Sequence, residues 1–196
     1  MKDFSKIKKH VLDKLKKELP MDLYYHGMHH TLSVVDSINI ICEHEKITSN
    51  ELFLLNVGGL YHDIGFVHVY KNHEEEGCKI AKEELPKFGL SDDEVNIVCG
   101  LIMATKIPQS PKTHLEQIIA DADLEYLGTA DYWDVGRTLF DELKIYMDVS
   151  NESQWNIIQM NFLKKHQYFT DFCKMYREPK KKEYLEQIIK IVENPD

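Results

Sequence analysis

Histidines and aspartates with metal-ligand chemistry occur at three places along the chain. His30 lies in the first, the adjacent His62 and Asp63 follow a strongly apolar stretch, and Asp121 and Asp123 lie among small and apolar residues. Imidazole nitrogens and carboxylate oxygens together favour a divalent transition metal, and carboxylates also suit Mg²⁺. Because a buried His-Asp pair is costly unless its polar atoms are satisfied, this pattern indicates a metal site.

Periodicity offers two candidates for the last carboxylate ligand. Ile119, Ala122 and Tyr126 define an apolar stripe on a predicted helix; Asp123 falls within that stripe and Asp121 beside it. A carboxylate on a buried stripe needs a cation, which favours Asp123 as the ligand. Asp121 is then a polar partner of the ligands or an acid that caps the helix, and it is the alternative ligand.

The elements that would position these residues are helices. Apolar residues recur at three and four residues nearly everywhere. The predicted helices comprise one that ends before Pro20 and others at about 27–46, 50–63, 73–87, 92–105, 114–128, 130–149, 153–166 and 181–193. Residues 64–70 form the one segment that we expect to be extended. Thr48-Ser49 is expected to cap the third helix, and Ser91 with Glu94 is expected to form a capping box.

Composition indicates one globular domain. The chain has 196 residues, 43% of them hydrophobic and 29% charged, with a formal net charge of −9. We expect a single all-α domain over residues 1–196, with a core at about 25–128 and C-terminal helices at 130–194 packing on it. The acidic balance argues against nucleic acid and anionic membranes as partners. Widely spaced cysteines and the lack of a signal-like N terminus predict a cytoplasmic protein.

Three extended motifs resemble those of the HD superfamily of metal-dependent phosphohydrolases, especially its small single-domain bacterial members. They are Tyr25-His26-x-x-x-His30-Thr31, Leu60-Tyr61-His62-Asp63-Ile64-Gly65 and Ala120-Asp121-Ala122-Asp123-Leu124-x-x-Leu127-Gly128. The resemblance implies an all-α helical bundle of the HD type. It also implies that His30, His62, Asp63 and Asp123 are the metal ligands. Leu124 stands where guanosine-tetraphosphate hydrolases of this superfamily have a basic residue, which keeps Asp121 open as the ligand.

The same resemblance bears on the number of metals. His73-Glu74 resembles the extra histidine position of binuclear HD proteins, but the later histidine of those sites has no counterpart in residues 103–106. We therefore expect one divalent ion, which could be Mn, Fe, Co, Ni, Zn or Mg.

The implied reaction is hydrolysis of a nucleotide or another small phosphorylated metabolite by a metal-activated water. Asp63, His73 and Lys106 are the candidate catalytic residues: Asp63 would orient the water, His73 would carry a proton or act as an outer ligand, and Lys106 would contact the phosphate. His26 is a second candidate for the phosphate contact, and Glu74 is a possible outer or alternative ligand. Exposed surface is the ordinary alternative for Lys106, and a helix start is the ordinary alternative for His73.

Two other functions fit parts of the pattern. One is a noncatalytic HD sensor module that binds a metal or another ligand, which a phosphatase assay with and without Mn²⁺ would distinguish from an enzyme. The other is a di-iron oxygenase, which needs more histidine ligands than the sequence places. The intact set of predicted metal ligands favours the hydrolase, because a merely structural metal site would not need open coordination positions.

Overall fold

A computed structural model describes residues 2–194 of the chain. Over that range the secondary structure consists of ten α-helices and three short 3-10 helices, without a β-strand. The α-helices are α1 (Phe4–Glu18), α2 (Met28–Cys42), α3 (Ser49–Tyr61), α4 (His73–Glu84), α5 (Asp92–Thr105), α6 (His114–Asp123), α7 (Tyr132–Tyr146), α8 (Glu152–Lys165), α9 (Asp171–Tyr176) and α10 (Glu178–Glu193). The predicted all-α fold class is confirmed.

The chain divides into two compact units, the first ending at Asp123 and the second beginning at Leu124. The expectation of one domain, with residues 130–194 packing on a core at about 25–128, stays a prediction.

Helix α3 lies at the centre of the first unit. Every residue from Leu54 to Tyr61 is buried, because α1, α2, α5 and α6 pack around this helix. A helix that is apolar on all sides is stable in water only when its neighbours cover it in this way. The end of α3 therefore delivers its next residues, His62 and Asp63, into a buried environment.

Two glycines let the neighbouring helices come close to α3. A Cβ atom at Gly59 would lie 2.7 Å from Cδ1 of Ile38 on α2, and one at Gly58 would lie 2.9 Å from Cδ1 of Leu101 on α5. Real Cβ atoms essentially never make such short contacts, so a larger residue at either position would force the Ile38 or Leu101 side chain to shift.

Both predicted caps are confirmed. Thr48 accepts a hydrogen bond from the Glu51 amide while the Glu51 side chain accepts one from the Thr48 amide, and Ser91 and Glu94 form the same reciprocal pair. Each box satisfies two amides that the first turn of a helix leaves without partners.

The segment at 64–70, predicted to be extended, begins instead with a 3-10 helix over Ile64–Val67. The Phe66 amide donates to the Asp63 carbonyl at 3.0 Å, and the His68 amide donates to the Gly65 carbonyl at 3.0 Å. A Cβ atom at Gly65 would lie 1.9 Å from the carbonyl oxygen of His73, so the turn packs directly on the start of α4. This tertiary contact overrides the β propensity of Ile64 and Val67.

Helices α2 and α6 end well before their predicted boundaries. Helix α2 stops at Cys42 rather than near residue 46, because the chain must turn and become extended at Thr48 to cap α3. Helix α6 stops at Asp123, and a 3-10 helix follows over Glu125–Gly128. There the Tyr168 hydroxyl lies 3.1 and 3.2 Å from the carbonyl oxygens of Leu124 and Glu125, which a continued helix would use internally.

The second unit is built around α10, which packs against α8, α9 and the 3-10 helix at Glu125–Gly128. A small apolar cluster of Phe140, Val149 and Trp155 forms beside α7 and α8. Helix α9 was not predicted: it has six residues, and the Thr170 side chain caps it by accepting from the Cys173 amide at 3.2 Å.

Candidate metal centre

His62 follows the last residue of α3, and its imidazole is fully buried. Its Nδ1 lies 2.8 Å from the carbonyl oxygen of Gly59, one turn earlier in the same helix. A carbonyl can only accept, so this contact assigns the proton to Nδ1 and leaves a lone pair on Nε2. A second contact that fixes the ring and its tautomer in this way is typical of metal-bound histidines.

Two other helices bring one ligand-type side chain each to the His62 Nε2 atom. His30, in the first turn of α2, places its Nε2 3.3 Å from that atom. Asp123, the last residue of α6, places its Oδ1 3.1 Å from His30 Nε2 and 3.5 Å from His62 Nε2. The three atoms lie within 4.8 Å of one another, so this group could hold a metal ion.

The spacing of these atoms agrees with metal coordination. Ligand atoms about 2.1 Å from a divalent ion lie about 3.0 Å apart at right angles and about 3.4 Å apart in a tetrahedron. The three separations, 3.1, 3.3 and 3.5 Å, lie close to these values. Two facing imidazole nitrogens with a carboxylate beside them are the arrangement that a cation would hold together.

Asp63 supplies a further test of the fit. Its Oδ2 lies 3.1 Å from His62 Nε2 and 3.5 Å from His30 Nε2, yet among the described residues no hydrogen bond reaches this buried oxygen. A buried carboxylate oxygen without a hydrogen bond is costly, and a cation at the centre of the group would offset that cost. The residues present therefore fit a divalent ion, although Asp63 lies outside the three-residue group itself.

The pKa values of His62 and Asp63 reflect the close approach of imidazoles and carboxylates in this site. Burial alone would lower the pKa of His62, but the carboxylates of Asp63 and Asp123 outweigh burial and raise the pKa to about 9. Burial would raise the pKa of Asp63, but the imidazoles of His62 and His73 hold that pKa well below its usual range. Protons on the imidazoles thus stabilise the carboxylates, and a metal ion would displace them.

A comparison of the sequence with models of protein families identifies the family of this chain. The model of the HD domain matches residues 27–125, just over half of the chain, and the match includes His30, His62, Asp63 and Asp123. The chain belongs to the HD domain family. No curated protein and no solved structure matches it significantly.

HD domains typically bind a divalent metal, and the family includes many metal-dependent hydrolases. The group formed by His30, His62 and Asp123 is the part of this HD domain that could hold such an ion. Across residues 2–194, no helix is long and apolar enough to cross a membrane.

The choice between Asp121 and Asp123 has a different basis from the one that periodicity indicated. Asp121, expected beside the apolar stripe, is fully buried, whereas the Asp123 side chain keeps 12% of its surface exposed. Asp123 nevertheless carries the oxygen that faces the two imidazoles. The carboxylate that faces the imidazoles is therefore the more exposed of the two.

His73 and Glu74, which begin α4, lie on the outer side of Asp63. His73 Nε2 is 3.4 Å from Asp63 Oδ1 and 3.6 Å from Glu74 Oε1. Burial opposes protonation of His73, but hydrogen bonding to Asp63 and the charge of Asp63 raise its pKa. Lys106 follows α5, ion-pairs with Glu75 and lies 4.0 Å from Glu74 Oε2. The structure therefore brings Lys106 to the acidic start of α4.

Sequence reasoning missed Phe66, which lies between two of the candidate residues. Its ring stacks on His26 at a centroid distance of 4.4 Å and on His73 at 3.9 Å, and Phe66 is 3% exposed. An aromatic residue shortly after the His-Asp pair was the available signal. Packing on Phe66 fixes the ring plane of His73 and keeps His26 close to Asp63.

Proposed function

We propose that this HD domain protein is a metal-dependent phosphohydrolase that acts on a nucleotide or another small phosphorylated metabolite. The observation that carries the proposal is the convergence of His30 Nε2, His62 Nε2 and Asp123 Oδ1 within coordination distance of one another. Family membership supports the same reaction class.

His30, His62, Asp63 and Asp123 would hold one divalent ion. When bound, that ion would supply Lewis acidity, which activates water and neutralises charge on a phosphoryl group. The Gly59 carbonyl keeps the lone pair of His62 directed into the site. Helix α3 places Asp63 so that one of its oxygens faces the imidazoles of His30 and His62 while the other faces His73.

His73, Lys106 and His26, which lie outside the ligand group, would transfer the proton and contact the substrate. His73 lies between the carboxylates of Asp63 and Glu74, a position from which it would protonate the leaving oxygen of the substrate. Lys106 would exchange its ion pair with the exposed Glu75 for the phosphate of the substrate. His26, half-buried against Phe66, would contact the substrate beside His73.

Elemental analysis together with a hydrolysis screen tests the proposal. The purified full chain is loaded with Mn²⁺, its metal content is measured, and a panel of nucleotides and small phosphorylated metabolites is assayed for released phosphate. Asp123→Asn removes the negative charge and one carboxylate oxygen, and His62→Gln removes the imidazole, each with little change in overall size. The matched controls are Asp134→Asn and His68→Gln, which change exposed residues of the same types outside the ligand group.

We expect about one ion per chain in the parent protein and in both controls, with phosphate released from at least one class of substrate. Both ligand variants should lose the ion and the hydrolysis together. A bound ion without hydrolysis of any substrate would support the noncatalytic module instead. Failure of the parent protein to bind any ion would overturn the proposal.

A further inference from the structure

Two free cysteines meet where α4 packs against α5. The Cys78 Sγ atom on α4 lies 3.5 Å from the carbonyl oxygen of Cys99, and the Cys99 Sγ atom on α5 lies 3.7 Å from the carbonyl oxygen of Cys78. These reciprocal contacts place each sulfur against the backbone of the other residue.

Close helix packing explains how two thiols 21 residues apart come together. Gly77 precedes Cys78, and a Cβ atom at Gly77 would lie 3.5 Å from Cγ2 of Ile102 on α5. That distance is an ordinary van der Waals contact, and it shows that α4 and α5 pack closely at this point. Cys78 is half-buried and Cys99 is 9% exposed, so a small oxidant reaches the pair from the Cys78 side.

We propose that Cys78 and Cys99 are a redox-active pair that a hydroperoxide oxidises reversibly to a disulfide between α4 and α5. This role is independent of the proposed hydrolysis and of metal binding. Disulfides are rare in reducing compartments except where they are transient and serve redox sensing, which is the role inferred here.

The reaction balances in two steps. The Cys99 thiolate attacks one oxygen of the peroxide, the O–O bond breaks, and Cys99 becomes a sulfenic acid as the other oxygen leaves as an alcohol or water. The Cys78 sulfur then attacks the Cys99 sulfur, an S–S bond forms, and the sulfenic oxygen leaves as water with the proton of Cys78. Two thiols are oxidised and one hydroperoxide is reduced.

The electrostatic environment supports this order of attack. Hydrogen bonding from the Cys78 thiol outweighs burial and, with help from Lys82, lowers the pKa of Cys99 to about 7. A substantial share of Cys99 is then the thiolate near neutral pH, which is the reactive form. In contrast, burial and Glu45 raise the pKa of Cys42 to about 12, so Cys42 stays a thiol.

The disulfide between Cys78 and Cys99 would affect the residues that lie on the outer side of the candidate metal centre. Helix α4 begins with His73 and Glu74, and Lys106 follows the end of α5. A covalent link between the two helices would restrain the segments that carry these three residues. We expect amide hydrogen exchange in α4 to be slower in the oxidised protein than in the reduced one.

The test is thiol counting with disulfide mapping on the full chain after treatment with a small excess of hydrogen peroxide. Free thiols are counted in denaturant, and proteolytic peptides are identified by mass spectrometry before and after dithiothreitol. Cys78→Ser removes the second thiol of the pair, and Cys42→Ser is the matched control on α2.

We expect the parent protein to fall from four free thiols to two, to yield a Cys78–Cys99 linked peptide, and to recover all four thiols with dithiothreitol. Cys42→Ser should form the same linked peptide, whereas Cys78→Ser should stop at a sulfenic acid on Cys99, about 16 Da heavier, that a dimedone reagent traps. Retention of four thiols, or a bridge that joins any other cysteines, would overturn the proposal. Because mapping on the parent protein is decisive, the test does not depend on the folding of the variants.

Discussion

The two units bury charged side chains in opposite ways. In the metal centre of the first unit, two imidazole nitrogens face each other and a buried oxygen of Asp63 has no hydrogen bond among the described residues. In the second unit, Lys181 is 2% exposed and its ammonium contacts Glu178 Oε2 at 2.7 Å, the His166 carbonyl at 2.8 Å and His166 Nδ1 at 3.1 Å. These contacts match the three donors of an ammonium group.

This difference in how the buried polar atoms are satisfied distinguishes a candidate binding site from a structural cluster. Three satisfied donors leave the Lys181 ammonium nothing to offer a ligand, so that cluster stabilises the packing of α10 against the end of α8. In the candidate metal centre, protons stabilise the converging nitrogen and oxygen atoms, and a cation would take the place of those protons. We therefore expect ions to affect the first region and substitutions at Lys181 to affect folding alone.

The largest expected effect comes from removing a ligand. His30→Ala should lower Mn²⁺ affinity at least about 100-fold, because it removes a coordinating nitrogen rather than an outer contact. His29→Ala changes the exposed neighbouring histidine of the same helix and should bind Mn²⁺ as the parent protein does. Isothermal titration calorimetry measures both affinities, and equal losses in the two variants would contradict the assignment of His30.

Lys181→Met should lower the free energy of unfolding by about 2–3 kcal/mol, because the partly buried Glu178 and His166 acceptors lose their donor. Lys182→Met, at a neighbouring lysine whose side chain is 68% exposed, should change it by less than about 0.5 kcal/mol. Chemical denaturation followed by circular dichroism gives both values. A Lys181→Met protein as stable as the parent would show that the cluster is not structural.

Gly65→Ala tests the support of the metal centre without changing a polar group. The new Cβ would collide with the His73 carbonyl, so we expect a loss of about 2 kcal/mol in stability and a displaced α4 start. Gly100→Ala on α5 is the control, because the only contact within 4 Å is 3.3 Å from Glu116 Oε1, at the end of a flexible side chain. That variant should be as stable as the parent or slightly more stable. Thermal unfolding of both variants measures the two changes in stability.

The smallest expected effect is a pH dependence in the second unit. Burial, and then the charge of Lys181, lower the pKa of His166 to about 3, so the folded protein keeps this ring neutral. The unfolded chain binds a proton near pH 6.5, so His166 should reduce stability as the pH falls from about 6.5 towards 3. Between pH 7 and 5.5 the loss is about 1 kcal/mol.

His166→Gln should remove that slope, whereas His44→Gln, at an exposed histidine, should keep it. Denaturant titrations of the three proteins at several pH values measure the difference. An unchanged slope in His166→Gln would mean that other groups cause it.

Local sequence signals predicted much of the fold. The capping pairs Thr48-Glu51 and Ser91-Glu94 set two helix starts, and α5 has the predicted bounds of Asp92–Thr105. The errors arose where distant contacts decide the backbone. The 3-10 helix after Asp63 depends on His73, and the end of α6 depends on Tyr168, neither of which local periodicity reveals.

In the candidate site, too, local sequence signals predicted some features, and distant contacts decided the others. Residue type and motif order predicted His30, His62 and Asp123, which the structure brings together. Helical periodicity favoured Asp123, but on the expectation that Asp123 is the more buried of the two, whereas Asp121 is the more buried residue. Burial on a helix does not specify where a carboxylate points. Likewise, the stacking of Phe66 between His26 and His73 requires a tertiary arrangement that spacing along the chain does not encode.

The hydrogen bond between His62 Nδ1 and the Gly59 carbonyl has a consequence for protein design. Since donor and acceptor are three residues apart, the end of α3 carries a ligand together with the group that orients it. Residues 59–65 could therefore be transplanted as one cassette onto the end of another buried helix. The recipient scaffold would have to contribute one imidazole and one carboxylate from two neighbouring helices, together with room for the bare backbone of Gly65.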